Sequence, residues 1–181
     1  MFPQQPKRMD RSLFLPRLPL ISVCLAALLQ MASVPASASD ISWLDDTAAA
    51  ALHAQEIGTE AAIFALAFTG VNYRYGGNSP ESGMDCSGFV VHVFREAFDI
   101  SLPRTSAEIE QAGMPIEMND LSPGDLVFFN TLGAAFSHVG IYLGNNKFIH
   151  SPRAGSQIRV ESMKLPYWTR RFDGARRIGS S

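Results

Sequence analysis

The chain changes its hydrophobic period about halfway along. Residues 20–29 form an uncharged, mostly apolar run of roughly ten residues, short for a membrane span. Residues 39–58 are alanine-rich and carry Asp40, Asp45 and Asp46, which reads as a linker or a loosely docked N-terminal helix. Residues 59–69 predict a helix, with Thr59 as its cap and Glu60 in its first turn. Ile63, Leu66 and Ala67 mark one face of that helix, and Gly70 ends it. A loop follows through Tyr73-Arg74-Tyr75-Gly76-Gly77 and Asn78-Ser79-Pro80. Asp85 then caps a second helix, in which Cys86, Phe89, Val90, Val93, Phe94 and Ala97 recur at steps of three and four. Leu102-Pro103 breaks this pattern, and a short polar helix is expected around 106–111, ending at Gly113. Beyond the Pro123-Gly124 turn the period becomes that of strands: 126–129, 139–143, a tight Gly144-Asn145-Asn146 turn, 147–150, 158–160, and a last segment ending at Ile178. Helices first and an antiparallel sheet afterwards make an α+β domain.

Charge and composition assign the first stretch to targeting rather than to the fold. Lys7, Arg8, Arg11 and Arg17 precede the apolar run, and Ala36-Ser37-Ala38 follows it. This is the order of a signal peptide, so residues 1–38 are expected to be removed after Ala38. An uncleaved membrane anchor is the competing reading. Pro19, Gln30 and Pro35, which interrupt the run, and the cleavage motif after it argue against that reading. Cys24 lies within the run. Val23 is too large for a lipoprotein signal and the apolar run continues past Cys24, so lipid anchoring there is not expected. The remaining 143 residues suit one domain, with 39–58 leading into a domain of 59–181. They carry 11 basic and 16 acidic side chains, a net charge of −5, with no basic run. Nucleic acid is therefore a poor partner. A periplasmic monomer with no stable membrane insertion after cleavage is the expectation.

Removal of the signal segment leaves Cys86 as the one cysteine. A lone thiol in an exported protein has no disulfide partner, so it is either inert or reactive. Its place in the first turn of a helix favours a thiolate, whereas Asp85 beside it opposes one unless that carboxylate is turned away as the cap. A histidine is the natural base for such a nucleophile. If the hairpin turn is centred on Asn145, Leu143 faces Lys147 and His150 lies opposite Gly140. His138 and His150 are then diagonal neighbours on one face, and one imidazole can orient the other. The expected roles are Cys86 as nucleophile, His138 as general base and acid, and His150 as the group that orients His138. The backbone N–H of Cys86 would hold the developing oxyanion, with the Tyr73 hydroxyl as a candidate second donor.

Six blocks in order carry a family resemblance: Tyr73-Arg74-Tyr75-Gly76-Gly77, Asp85-Cys86-Ser87-Gly88-Phe89, Leu102-Pro103-Arg104-Thr105-Ser106, the segment from Pro123 to Phe129, Ser137-His138-Val139-Gly140-Ile141-Tyr142, and Phe148-Ile149-His150. Together with a closing strand that ends at Ile178, they resemble the NlpC family of cell-wall cysteine peptidases. That resemblance implies a papain-like fold and a Cys–His–polar triad on Cys86, His138 and His150, with Tyr73 beside the nucleophile. It further implies hydrolysis of peptidoglycan stem peptides, at D-alanyl–diaminopimelate cross-links or γ-D-glutamyl–diaminopimelate bonds, with no cofactor and no metal. One departure is visible. A glutamine common in the family after the Arg-Thr-Ser block is replaced by acidic and aliphatic residues around Glu108 to Glu110.

Blander readings stand beside these. Cys86 could be an inert core thiol, or Cys86, His138 and His150 could bind zinc, although no fourth ligand is spaced nearby. His53 and His92 read as solvated residues on helix surfaces. Tyr142, Trp168 and the phenylalanines read as core, and Asp125 as a turn or strand-end residue. Arg170, Arg171, Arg176 and Arg177 could meet an acidic substrate or form salt bridges at a strand end. A non-catalytic wall-binding protein, and an amidase or transacylase using the same triad, are the functional alternatives.

Overall fold

The computed structural model describes residues 38–179, with side chains from Asp46 onward. The expected signal segment, including Lys7, Cys24 and the cleavage motif up to Ser37, lies outside the described residues. Helix α1 (Ala38–Leu66) leads into a two-residue ribbon, β1 (Asn78–Ser79) and β2 (Gly83–Met84). Helix α2 (Cys86–Phe98), the short α3 (Ser106–Ile109) and a 3-10 turn at Glu110–Ala112 follow. The rest is mainly sheet: β3 (Met114–Ile116), β4 (Leu126–Phe129), β5 (His138–Gly144), β6 (Lys147–His150), β7 (Arg159–Ser162), the one-turn α4 (Pro166–Thr169) and β8 (Phe172–Arg177). Six strands lie in the order β3-β8-β4-β5-β6-β7, with every neighbour antiparallel. This is the α+β, papain-like arrangement. The edge strand β3, which holds Pro115, was not foreseen.

The sheet is buried on both faces, so β4 reads as a continuous apolar run. Leu126 and Phe128 pack with Val139, Ile141 and the helix residues Phe89, Val93 and Phe94. Val127 and Phe129 point the other way, into a second core with Phe148, Met163 and Trp168. Helix α2 follows its pattern: Asp85 accepts from the Gly88 N–H at 2.7 Å, and Phe89, Val90, Val93 and Phe94 are buried.

Helix α1 departs from expectation in two ways. It is continuous through residue 59, where Thr59 returns its hydroxyl to the Gln55 carbonyl instead of capping a new helix. Its buried face is Ala54, Ile57, Ala61, Ala62 and Ala65, whereas Ile63 and Leu66 are exposed. The reason is close approach. A Cβ on Gly58 would lie 2.6 Å from the Pro123 carbonyl oxygen, so α1 meets that turn through its glycine and turns its alanines and Ile57 inward, while Ile63 and Leu66 face away. His92 also departs: it is half-buried on α2, edge-on to Phe68 at 5.0 Å, and burial lowers its pKa. His53 is exposed, as expected.

Candidate active site

Two strand ends and one helix start meet at the site. Cys86 opens α2, His138 opens β5 and His150 closes β6. The β5–β6 hairpin turns through Asn145 and Asn146, both left-handed, with Gly144 facing Lys147. This differs from the turn assumed from the sequence. A register shift between Tyr142 and Gly144 then restores the expected pairing, with Tyr142 opposite Phe148 and Ile141 opposite Ile149. His138 and His150 are diagonal neighbours as a result. Gly140 makes room for them, because a Cβ there would come within 3.1 Å of the His150 Cβ and 2.7 Å of the Phe148 ring.

The two rings meet edge to face, with His138 Nε2 2.8 Å from His150 Nδ1. Those nitrogens are spent on each other, which leaves Nδ1 as the ring nitrogen of His138 outside this pair. The next strand extends the line. His150 pairs with Arg159 and Phe148 with Glu161, which makes Glu161 the diagonal neighbour of His150 on β7. His150 Nε2 approaches Glu161 Oε1 at 3.6 Å, outside full hydrogen-bond distance, and is buried without any other partner among the described residues. Glu161 is itself held by the Trp168 indole N–H and by Arg159 Nε, each at 2.5 Å. One tautomer satisfies the whole line: His138 donates from Nε2 to His150 Nδ1, and His150 carries its proton on Nε2 toward the carboxylate.

Burial sets the charge state. It depresses His138 to about 3, an effect deepened by His150 and opposed by Glu161. It also depresses His150, although Glu161 pulls the other way. Glu161 is held at about 2, chiefly by its contact with His150. The protein packed around Cys86 pushes the thiol up, while the backbone N–H groups of Val139, Ser87 and Cys86 itself pull it down. Burial thus opposes the thiolate that the helix start alone would favour, and it keeps the His138 imidazole neutral.

Asp85 is turned away from the thiol, as a cap must be. Its carboxylate accepts from Gly88 and Gly76 N–H groups at 2.7 and 2.8 Å and from both Arg104 terminal nitrogens at 3.0 and 2.7 Å. Arg104 was visible in the sequence only as part of a motif. Ser151, next to His150, donates to the Met84 carbonyl at 2.6 Å, which ties the histidine strand to the segment entering Cys86. Tyr73 is half-buried close enough to Cys86 and Asp85 that burial, and then their charges, raise its pKa. On the approach to His138, Phe136 holds φ at 52°, a strained value for a bulky residue, and its N–H donates to Asp173 at 2.9 Å.

Glu161 and Trp168 are the residues that sequence reasoning missed. Trp168 is buried, as core should be, yet its ring stacks on His138 at 5.7 Å. Extending the hairpin register one strand further would have found Glu161. Of the four C-terminal arginines, Arg176 and Arg177 are ion-paired to Glu110 and Asp125, and Asp125 is thus a structural anchor.

Residues 70–177 match the family model described as the NlpC/P60 family. The chain is 46% identical over 112 residues to the murein DD-endopeptidase MepH of Escherichia coli (strain K12), covering 60% of this chain and 41% of that protein. It is 46% identical over 109 residues to the murein DD-endopeptidase MepS/murein LD-carboxypeptidase of the same strain, covering 60% and 56%. The chain thus spans about half the length of these curated relatives. Among solved structures, the NlpC/p60 domain of the peptidoglycan hydrolase SagA aligns with a TM-score of 0.59 at 30% identity, covering 67% of this chain and 98% of that one.

Proposed function

Because the chain belongs to the NlpC/P60 family, we propose that it is a periplasmic peptidoglycan endopeptidase that cuts an amide of the stem peptide or cross-bridge through an acyl-enzyme on Cys86. The observation that carries this reading is the line of His138, His150 and Glu161, which leaves Nδ1 of His138 unused, together with the Val139 N–H beside His138 acting on the Cys86 thiol at the start of α2. The thiol proton passes to His138 Nδ1 as sulfur attacks the carbonyl carbon, and the same proton then goes to the leaving amine. Water enters on the vacated side and gives a proton to His138 as its oxygen bonds the acyl carbon; the C–S bond then breaks, the acid leaves, and His138 returns the proton to the sulfur. His150 orients His138, and Glu161 steadies the charge that forms across the two rings. The Cys86 N–H and the Tyr73 hydroxyl serve the oxyanion.

D-alanyl–diaminopimelate cross-links are the first candidate bond, because relatives at 46% identity are named murein DD-endopeptidases. A γ-D-glutamyl–diaminopimelate bond is second, supported by 37% identity over 112 residues to a γ-DL-glutamyl hydrolase of Bacillus subtilis (strain 168). The test is mass spectrometry of purified muropeptides incubated with the protein or with Cys86→Ala. Cross-linked dimers falling to monomers in the first lane alone support the D,D reading. Fragments beginning at diaminopimelate support the second. Muropeptides unchanged in both lanes would leave a wall-binding protein, and products other than peptide acids an amidase or transacylase.

A further inference from the structure

The described arginines divide into two sets. Arg95, Arg104, Arg159, Arg176 and Arg177 are each ion-paired, to Glu96, Asp85, Glu161, Glu110 and Asp125. Among the described residues, the Arg74, Arg153 and Arg170 guanidinium groups have no hydrogen-bond or ion-pair partner, and Arg171 only reaches the Tyr167 carbonyl and lies over that ring at 4.0 Å. Arg74 lies outside them, but Arg153, Arg170 and Arg171 line two adjoining hollows. One, of about 500 Å³, is bounded by Arg153, Arg159, Glu161, Tyr167 and Trp168. The other, of about 460 Å³, is bounded by Arg170, Arg171 and Asp173, and Thr131 borders both. Four guanidinium groups thus face two carboxylates, and both carboxylates are engaged: Glu161 by Trp168 and Arg159, Asp173 by the Phe136 N–H. In a domain with 16 acidic against 11 basic side chains, this is a local reversal of field, and a concave wall focuses it. The hollow also adjoins the chemistry, since Trp168 in its wall stacks on His138.

We propose that the paired hollows are a carboxylate-binding subsite in which Arg153 and Arg170 hold a free carboxylate of the peptide whose amide is cut. The proposal rests on the peptide-hydrolase reading above and adds which substrate group is recognised, and by what. A planar guanidinium presents two parallel N–H donors to a carboxylate, and an unpaired one need not first give up an internal partner. The exposed Leu132 and Tyr167 at the rim offer apolar contact to the rest of the peptide. Because the carboxylate does not react, its contacts are the same in ground and transition states. They lower KM and leave kcat alone.

The experiment measures hydrolysis of a muropeptide with free carboxylates and of its fully amidated counterpart by the wild-type protein, Arg153→Gln, Arg170→Gln and the control Arg95→Gln. On the free acid, Arg153→Gln and Arg170→Gln are expected to raise KM about five- to tenfold with kcat held, and Arg95→Gln to change neither. Amidation should raise the wild-type KM by a similar factor and remove the difference between wild type and Arg153→Gln. Unchanged KM in both variants, or the same rise on acid and amide, would overturn the subsite. A second readout is independent of turnover: guanidinium Nε–H resonances titrated with N-acetyl-D-alanine and with its amide. Shifts at Arg153 and Arg170 with the acid alone support the subsite even if no muropeptide is cleaved, in which case only the peptidase reading fails. Absence of shifts overturns the subsite whatever the enzyme hydrolyses.

Discussion

His138, the proposed base, is kept neutral by its surroundings, and most of the behaviour expected of the site follows from that. A histidine in the unfolded chain titrates near 6.5, whereas His138 in the fold is pushed down to about 3 by burial. Between those values the unfolded chain binds a proton that the folded one refuses, so stability falls as pH drops from about 6.5 toward 3. The base itself stays competent over the same window. The acid limb of kcat/KM is therefore expected below the ordinary histidine range, and a urea midpoint at pH 4.5 below that at pH 7. A limb near 6.5 in the rate profile would contradict the burial argument. The relay sets an order among variants. His138→Ala should lose all measurable hydrolysis, and His150→Gln should retain more, because an amide can still hold a ring. Glu161→Gln should lower kcat by about tenfold, the scale of one lost hydrogen bond to a charged group, because Glu161 supports the proton on the histidine pair. Equal loss in all three, measured on one substrate, would remove the distinction in roles. Cys86, His138 and His150 could be picked out as chemistry from residue type and spacing. Glu161 could not, because its partner lies across a strand pairing that the sequence does not announce, and Trp168 looked like any buried aromatic.

At the scale of elements, strong periodicity was readable and close approach was not. Helix α2 announces its buried face through Phe89, Val90, Val93 and Phe94, and β4 through an unbroken apolar run. The β5–β6 register could be inferred despite a mistaken turn, because the bulge near Gly144 compensates for the one-residue difference. Helix α1 misled because size and hydrophobicity point to Ile63 and Leu66, whereas the contact of Gly58 with Pro123 and Gly124 fixes the opposite face, with Ile57 and the alanines, toward the protein. The strand β3 was hidden by Pro115 and by its exposed edge position. The contact yields a prediction. Gly58→Ala gains helix propensity but forces a methyl against a backbone carbonyl, so a net loss of about 1–3 kcal/mol is expected in chemical unfolding. Ile63→Ala on the exposed face should change stability by less than about 0.5 kcal/mol. A stabilised Gly58→Ala would mean that α1 can shift away from the turn at little cost.

On the scale of the whole molecule, the helices carry the proposed nucleophile and the sheet carries the two histidines proposed to act on it. The two halves meet where Cys86 faces the Val139 N–H and Ser151 bonds to Met84. That division explains why the sequence, read as helices followed by strands, already gave the fold class. The family match over residues 70–177 covers both halves of the site and leaves α1 outside it. Among the described residues no helix is long and apolar enough to cross a membrane. The central claim is that an amide carbonyl is transferred to Cys86, and rapid acid quench followed by intact-protein mass spectrometry with peptide mapping tests it most directly. The account predicts a transient acyl adduct on Cys86 during turnover of a muropeptide, and none in Cys86→Ala, which stays folded and inactive. An adduct mapped to another residue, or hydrolysis surviving in Cys86→Ala, would contradict it.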